Sequence, residues 1–134
     1  MSRLERHSLK TTLREGFYPI TETVRAAVAA SQVQSGLVVV FCPHTTAGLT
    51  INENADPMVA RDLLLGLGRA FPDSPDFNHL EGNSRAHLKA SALGSSCQII
   101  IEEGRLALGT WQGLFFGEFD GPRNREYWTK IMGG

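Results

Sequence analysis

The stretch Gly36-Leu37-Val38-Val39-Val40-Phe41-Cys42-Pro43 decides the fold class. Its three consecutive valines are stiff at the first side-chain torsion and sit more comfortably on a pleated surface than on a helix. The run therefore predicts a buried strand, opened by Gly36 and ended by Pro43, which has no N–H to give a ladder. Upstream, Val24, Ala27, Val28 and Ser31 recur at i, i+3, i+4 and i+7. That spacing predicts a helix over 21–33, with Thr21 capping its first exposed amides. Downstream, Leu49-Thr50-Ile51 alternates and predicts a short second strand. His7 lies alone on a polar N-terminal strand and reads as surface or packing.

Further along, Asp56-Pro57 starts another helix, because Asp caps and Pro at the first position loses no needed hydrogen bond. Ala60, Leu63, Leu64 and Leu67 give it one apolar stripe, and Gly66 and Gly68 weaken its end. Residues 71–80 are loop. A third helix is expected from Asn83 or Ser84 to Leu93, stopped by Gly94. The remainder is β in pattern: strands at 97–101 and 106–108 around a tight turn, a glycine-interrupted strand at 111–119, a turn at 120–124, and a last strand at 125–131. Helices mixed with strands that cluster late in the chain predict an α+β fold, a mainly antiparallel sheet or sandwich with two or three helices.

The chain has 134 residues, 13 Lys and Arg against 14 Asp and Glu, and a 42% hydrophobic content. No composition break divides it, so 1–134 is expected to be one domain with one real core. Near-neutral charge removes the electrostatic case for nucleic acid. The longest apolar run, 37–42, falls far short of the roughly 20 residues a membrane helix needs. The opening Met1-Ser2-Arg3-Leu4-Glu5-Arg6-His7 is too polar for an export signal, and Cys42 and Cys97 read as reduced thiols. A cytoplasmic location, with no nucleic-acid or membrane partner, is the expectation.

Chemistry-bearing residues fall in three segments. The first, from Cys42 to Pro57, leaves the buried strand and gathers His44, Thr45, Thr46, Asn52, Glu53, Asn54 and Asp56 before a helix. Such groups are well placed to line a pocket, although a solvated loop with Asp56 as a cap explains them equally well. The second runs from His79 to Ser91. There His87 and Ser91 share a helical face at i, i+4, with Ser84 one turn earlier. The third, from Gly109 to Arg123, holds Gln112 and Glu118 at even spacing on one strand face, with glycines that mark a bulge or a close approach. Trp111 reads as core packing or a subunit contact, or as a platform for a flat ring. Arg123 has the fork geometry for a phosphate.

His44, His79 and His87 all lie in the two most polar stretches. Each alone also reads as a hydrogen-bonded structural histidine. Together, three imidazoles with one open position match a known catalytic zinc arrangement, because a metal can draw ligands from separate segments. Phosphate-binding loops, the dinucleotide-binding glycine fingerprint, a nucleophile elbow and a Cys-x-x-Cys pair are all missing from the sequence.

The segment Pro43-His44-Thr45-Thr46-Ala47-Gly48-Leu49-Thr50-Ile51-Asn52-Glu53-Asn54-Ala55-Asp56-Pro57 closely resembles the signature of the YjbQ-like secondary thiamine-phosphate synthase family. So do His79-Leu80-Glu81-Gly82-Asn83 with Ala86-His87-Leu88-Lys89-Ala90-Ser91, and Gly109-Thr110-Trp111-Gln112-Gly113 with Gly117-Glu118-Phe119-Asp120-Gly121-Pro122-Arg123. Ala92-Leu93 departs from the two bulky aliphatics common there, which touches packing only. The resemblance implies a compact α+β domain assembling as a homotrimer, with His44, His79 and His87 as metal ligands. It also implies Asn52, Glu53, Asn83, Lys89, Ser91, Gln112 and Glu118 as polar neighbours, with Thr45, Thr46 and Arg123 beside a small phosphorylated substrate.

The activity so implied couples hydroxymethylpyrimidine pyrophosphate to a thiazole phosphate with loss of pyrophosphate. Lys89, Arg123 and a divalent metal would face the leaving group, while Glu53 and Glu118 would face the developing cation. Pyrophosphate departure usually employs Mg²⁺ with oxygen ligands, whereas three imidazoles favour zinc. Two alternatives therefore stand: a zinc-type hydrolase of a small anionic substrate, and a non-catalytic trimer that binds a metal or ligand.

Overall fold

A computed structural model describes residues 3–134. The valine run forms strand β3 (Gly36–Phe41), with Val38 and Val40 fully buried on its inner face. It lies between β5 (Ser96–Glu102) and β8 (Asn124–Gly133) and is antiparallel to both. With β1 (Leu4–Lys10) outside β8 and the two-residue β6 (Arg105–Leu106) outside β5, the order is β1-β8-β3-β5-β6. The β5–β6 turn places Glu103 and Gly104 at positive φ (51° and 73°). Both central residues of a tight hairpin of this kind must take that conformation.

The second sheet is antiparallel β2-β7-β4, built from β2 (Gly16–Pro19), β7 (Gln112–Glu118) and β4 (Ala47–Glu53). Leu49, Leu114 and Phe116 from it meet Val38, Val40, Ile99, Ile101, Tyr127 and Ile131 from the first sheet in one core. Helix α1 (Thr21–Ser31) adds Val24, Ala27 and Val28 to the same core. The second sheet carries helix α3 (Ser84–Leu93) on its other side, where Ala86, Ala90 and Phe119 pack with Phe17, Leu64, Leu67 and Leu93. Gly48 permits that approach: a Cβ there would lie 2.8 Å from the Gly94 carbonyl oxygen. The described residues thus form a single α+β domain of antiparallel sheets and three helices, as the pattern predicts.

Several local expectations change. Thr21 is the first helical residue rather than a cap; its hydroxyl instead exchanges hydrogen bonds with the backbone of Leu114, tying α1 to β7. The helix ends at Ser31, where Gln32 turns left-handed. Helix α2 (Pro57–Ala70) is capped by Asp56 accepting from the Met58 N–H, and it runs through Gly66 and Gly68. Its stripe is only half-buried, since it packs against α3 and not the central core. The 49–51 strand extends to seven residues, and β2 escaped the sequence reading because four residues show no period. Trp111 is 64% exposed, which rules out core packing for it. Among the described residues, no helix is long and apolar enough to cross a membrane.

Candidate functional site

Three segments meet where β3 runs out. The Cys42 N–H donates to the Ser95 carbonyl, so the chain follows β5 briefly before Pro43 turns it away. The next residue, His44, lies against β8, its Nε2 3.0 Å from the Glu126 backbone N and 3.1 Å from the Glu126 carbonyl oxygen. Helix α3 presents His87, and the loop before it folds His79 back so that the two rings stand 5.1 Å apart at 87°. A cavity of about 320 Å³ is lined by all three histidines together with Thr45, Thr46, Asn83, Arg123 and Arg125. An adjoining hollow of about 430 Å³ continues past His44, Thr45 and His87 to Ser91, so the His87–Ser91 face predicted from helical spacing is real.

The electrostatics of this cavity rest on a buried ion pair. Glu118 is 0% and Arg125 7% exposed. Arg125 Nε donates to Glu118 Oε1 at 2.8 Å, and its Nη2 donates to Glu118 Oε2 and to Thr46 Oγ1. The Thr11 hydroxyl and the Asp120 N–H also donate to the Glu118 carboxylate. Burial alone would raise the Glu118 pKa; these donors outweigh it and hold the carboxyl below its ordinary value. His44 is pushed below its usual imidazole value by burial and by the Arg125 charge, against an opposing pull from Glu126. It is therefore neutral at pH 7, and its tautomer decides the bond: with the proton on Nδ1, Nε2 accepts from the Glu126 N–H, and with the proton on Nε2 it donates to the Glu126 carbonyl and leaves the Nδ1 lone pair free.

Asn83 is 8% exposed and donates to Asp120 Oδ2, while its own Oδ1 is buried without a partner. Arg123 donates to both the carbonyl and the carboxylate of Asp120 and stays half exposed at the cavity. Asp120 is held below its ordinary value: burial would raise it, but its bonds to Asn83 and Arg123 prevail.

Other residues named from the sequence fall elsewhere. Lys89 is 2% exposed, with its ammonium on the Glu15 carboxylate at 2.5 Å, so it braces the 11–15 loop against α3. Glu118 points inward, on the same strand face as Leu114 and Phe116, and touches the cavity through Arg125. Asn52, Glu53 and Gln112 occupy the far end of the β4–β7 pair, where Glu53 lies opposite Gln112 while Ala47 lies opposite Glu118. Six residues of strand separate the two ends by about 20 Å. At that end Asn52 Oδ1 accepts from the Glu53 N–H and Gln112 Oε1 from the Gly109 N–H. Within one chain they do not reach the histidines.

Among the described residues, no group of three or more His, Cys, Asp or Glu side chains is placed so that it could hold a metal ion. Only the His79–His87 pair has a spacing compatible with a shared zinc-type ion. Two imidazoles on one tetrahedral zinc, with Zn–N of about 2 Å, place their ring centres about 5 Å apart, and His79 and His87 stand 5.1 Å apart. The contact of His44 with the Glu126 carbonyl is the kind of second bond that orients a metal-bound imidazole.

Sequence reasoning passed over Arg125, Thr11 and Asp120. One signal pointed to Arg125: Glu118 shares its alternating face with core residues, and a carboxylate facing a core requires a cation beside it.

The family described as UPF0047 protein YjbQ-like matches residues 5–134. A UPF0047 protein of Methanocaldococcus jannaschii is 51% identical over 130 residues, covering 97% of this chain and 94% of the relative. The UPF0047 protein YugU of Bacillus subtilis is 48% identical, covering 93% and 96%. Among solved structures, a YjbQ/UPF0047 protein of Clostridium acetobutylicum superposes with a TM-score of 0.93 at 58% identity, covering 96% of this chain and 99% of its own. A protein of unknown function from Sulfolobus solfataricus superposes with a TM-score of 0.95 at 29% identity, covering 100% and 99%.

Proposed function

Since the chain belongs to the UPF0047 YjbQ-like family, we propose for it the activity which that resemblance implies, a secondary thiamine-phosphate synthase. The reaction joins the pyrimidine methylene to the thiazole nitrogen as pyrophosphate leaves. The observation that carries the proposal is one cavity combining three histidines from separate segments with Asn83, Arg123 and Arg125. His44, His79 and His87 would hold a divalent ion of zinc type, which when bound polarises phosphoryl oxygens. Arg123, half exposed and held in place by Asp120, binds the leaving phosphates as a planar fork. Arg125 is fixed by Glu118, and its charge adds to burial in keeping His44 neutral. Lys89 reaches a phosphate only by exchanging Glu15 for it.

Glu53, Asn52 and Gln112 join such a site only from another copy of the chain, which gives the implied homotrimer a chemical purpose. Leu37, Phe41, Ile100 and Met132 remain 37–57% exposed on the outer face of the five-stranded sheet. An apolar patch of that kind is what a second copy would cover. Light scattering of the purified protein should give three times the 14.7 kDa chain mass; a monomer removes those three residues from the reading.

The second reading, a metal-dependent hydrolase of a small anionic substrate, is favoured by the imidazole set itself, which suits zinc better than the Mg²⁺ usual for pyrophosphate departure. Incubation with both thiamine precursors, with and without chelator, separates the two. Thiamine phosphate and pyrophosphate in equal amounts support the synthase. Turnover of single phosphoesters without coupling supports the hydrolase. Metal uptake without turnover leaves a binding protein.

A further inference from the structure

Among the described residues, one buried side-chain polar atom has no hydrogen-bond partner: Oδ1 of Asn83, which lines the histidine cavity at 8% exposure. An Asn at the start of a helix ordinarily turns its side-chain oxygen back onto the second or third amide. Here the Ala86 N–H goes to the Asn83 backbone carbonyl at 3.0 Å, and the side chain makes no capping bond. Its Nδ2 is committed to Asp120 Oδ2 at 2.9 Å instead. That bond fixes which way round the amide stands, because an ionised carboxylate only accepts and must face the NH₂ group. Oδ1 is therefore an acceptor, and leaving it bare costs stability.

Around this acceptor the cavity is rich in donors. A guanidinium spreads its N–H groups over Nε and two Nη atoms. Arg123 directs Nε and Nη2 at Asp120, and Arg125 directs its own at Glu118 and Thr46. Among the described residues, the Nη1 groups of both have no partner. The inner carboxylates are spent: each Glu118 oxygen takes two bonds, and Asp120 Oδ2 serves both Asn83 and Arg123. Glu81 stands at the rim, 3.9 Å from His79 Nε2, with its side chain 70% exposed to water. Each arginine is already balanced by a carboxylate, so the cavity offers directed N–H groups more than net charge. Two free donor groups and one bare acceptor form a hydrogen-bond pattern.

We propose that Asn83 is a specificity residue, which makes the cavity select an oxyanion carrying its own O–H, such as hydrogen phosphate, over one that has none. The bare oxygens lie on the Nη1 groups of Arg123 and Arg125, and the O–H donates to Asn83 Oδ1. A modest turn about the soft terminal torsion of Asn83 opens its oxygen to the ligand. A sulfate in the same place sets an oxygen against Oδ1, and two acceptors facing one another leave both unpaired. This role rests on the reading of the histidine cavity as an anion site, and adds the proton that the anion must carry. The phosphate or pyrophosphate set free by hydrolysis or coupling carries such an O–H near neutral pH.

The test compares two dianions of one shape. In mildly alkaline buffer inorganic phosphate keeps a single O–H, and sulfate has none. Calorimetric titration of the native chain, with chelator present so that no metal ion contributes, should give phosphate a Kd at least about tenfold lower than sulfate. Asn83→Leu should bring that ratio close to one, with circular dichroism checking its fold. Glu81→Gln should leave the ratio unchanged, which separates Oδ1 from the acceptor at the rim. Arg123→Gln should weaken both anions together and also keep the ratio. Equal affinities in the native chain overturn the role of Asn83 and leave Arg123 as an anion residue. So does a ratio that survives in folded Asn83→Leu, or one that collapses in Glu81→Gln, a criterion that stands even if the leucine variant does not fold. If neither anion binds, the role falls together with the phosphate-binding role of Arg123.

Discussion

Replacing Arg125 with methionine tests the framework on which the candidate site is hung. Methionine fills much of the arginine stem and deletes the guanidinium. The loss removes two donors from the Glu118 carboxylate and one from Thr46 Oγ1. What stays is a carboxylate with 0% exposure, served only by the Thr11 hydroxyl at 2.8 Å and the Asp120 N–H at 3.0 Å. Stranding one partner of a buried pair costs about 3–5 kcal/mol. For a domain of this length that corresponds to a Tm lower by about 10–20 °C. Urea unfolding followed by far-UV circular dichroism measures it directly. The pair Glu118→Gln with Arg125→Met should cost less than the sum of the single changes, because the double variant strands no charge. In the same single variant the His44 imidazole should titrate closer to its ordinary value by NMR, having lost the neighbouring cation. A cost below about 1 kcal/mol, the level of an exposed pair, would refute the reasoning.

Four further outcomes are expected. His87→Ala should remove most bound zinc, by elemental analysis of zinc-loaded protein, while circular dichroism stays unchanged; full zinc retention rejects His87 as a ligand. At the Lys89–Glu15 pair, Glu15→Gln should destabilise more than Lys89→Met, since the first strands an ammonium whose side chain is 3% exposed and the second leaves a carboxylate 28% exposed that water can reach; equal costs in urea contradict that asymmetry. Gly48→Ala should cost about 1–3 kcal/mol by overpacking, because its Cβ meets the Gly94 carbonyl at 2.8 Å, and a neutral change in Tm would show that α3 gives way. Acid should unfold the protein in two windows. The folded His44 lies below its ordinary value of 6.5, so the unfolded chain takes the proton first and stability falls as pH drops from 6.5 to the lowered value. Glu118 and Asp120 are also depressed, so their stabilisation is full above the ordinary values of 4.5 and 3.8 and is lost as pH falls through the folded ones. Urea midpoints that stay flat from pH 7 to pH 3 contradict both.

The elements with strong periodic or terminal signals were legible. The β3 valines, the Asp56-Pro57 start of α2 and the Gly94 stop of α3 each carry their instruction within a few residues. Thr21 misled because its hydroxyl has two possible employments, helix capping or bonding to Leu114, and only the β7 neighbour decides between them. β2 left no trace because its pairing with β7, about a hundred positions away, supplies what its four residues lack.

The sequence by itself determined that the chain is an α+β domain, and that three histidines stand in polar segments at the ends of regular elements. Local propensity and side-chain period are properties of neighbouring residues, so they survive without coordinates. Which of those residues share a cavity was decided only by tertiary structure. The β4–β7 register carries Glu53 and Gln112 to one end of a sheet and Glu118 to the other, though all three lie in the signature motifs. The pairings of Arg125 with Glu118, of Lys89 with Glu15 and of His44 with Glu126 likewise join positions that are fixed only when separate strands and helices pack. A charge needs its partner within a few ångströms, and chain distance says nothing about that separation.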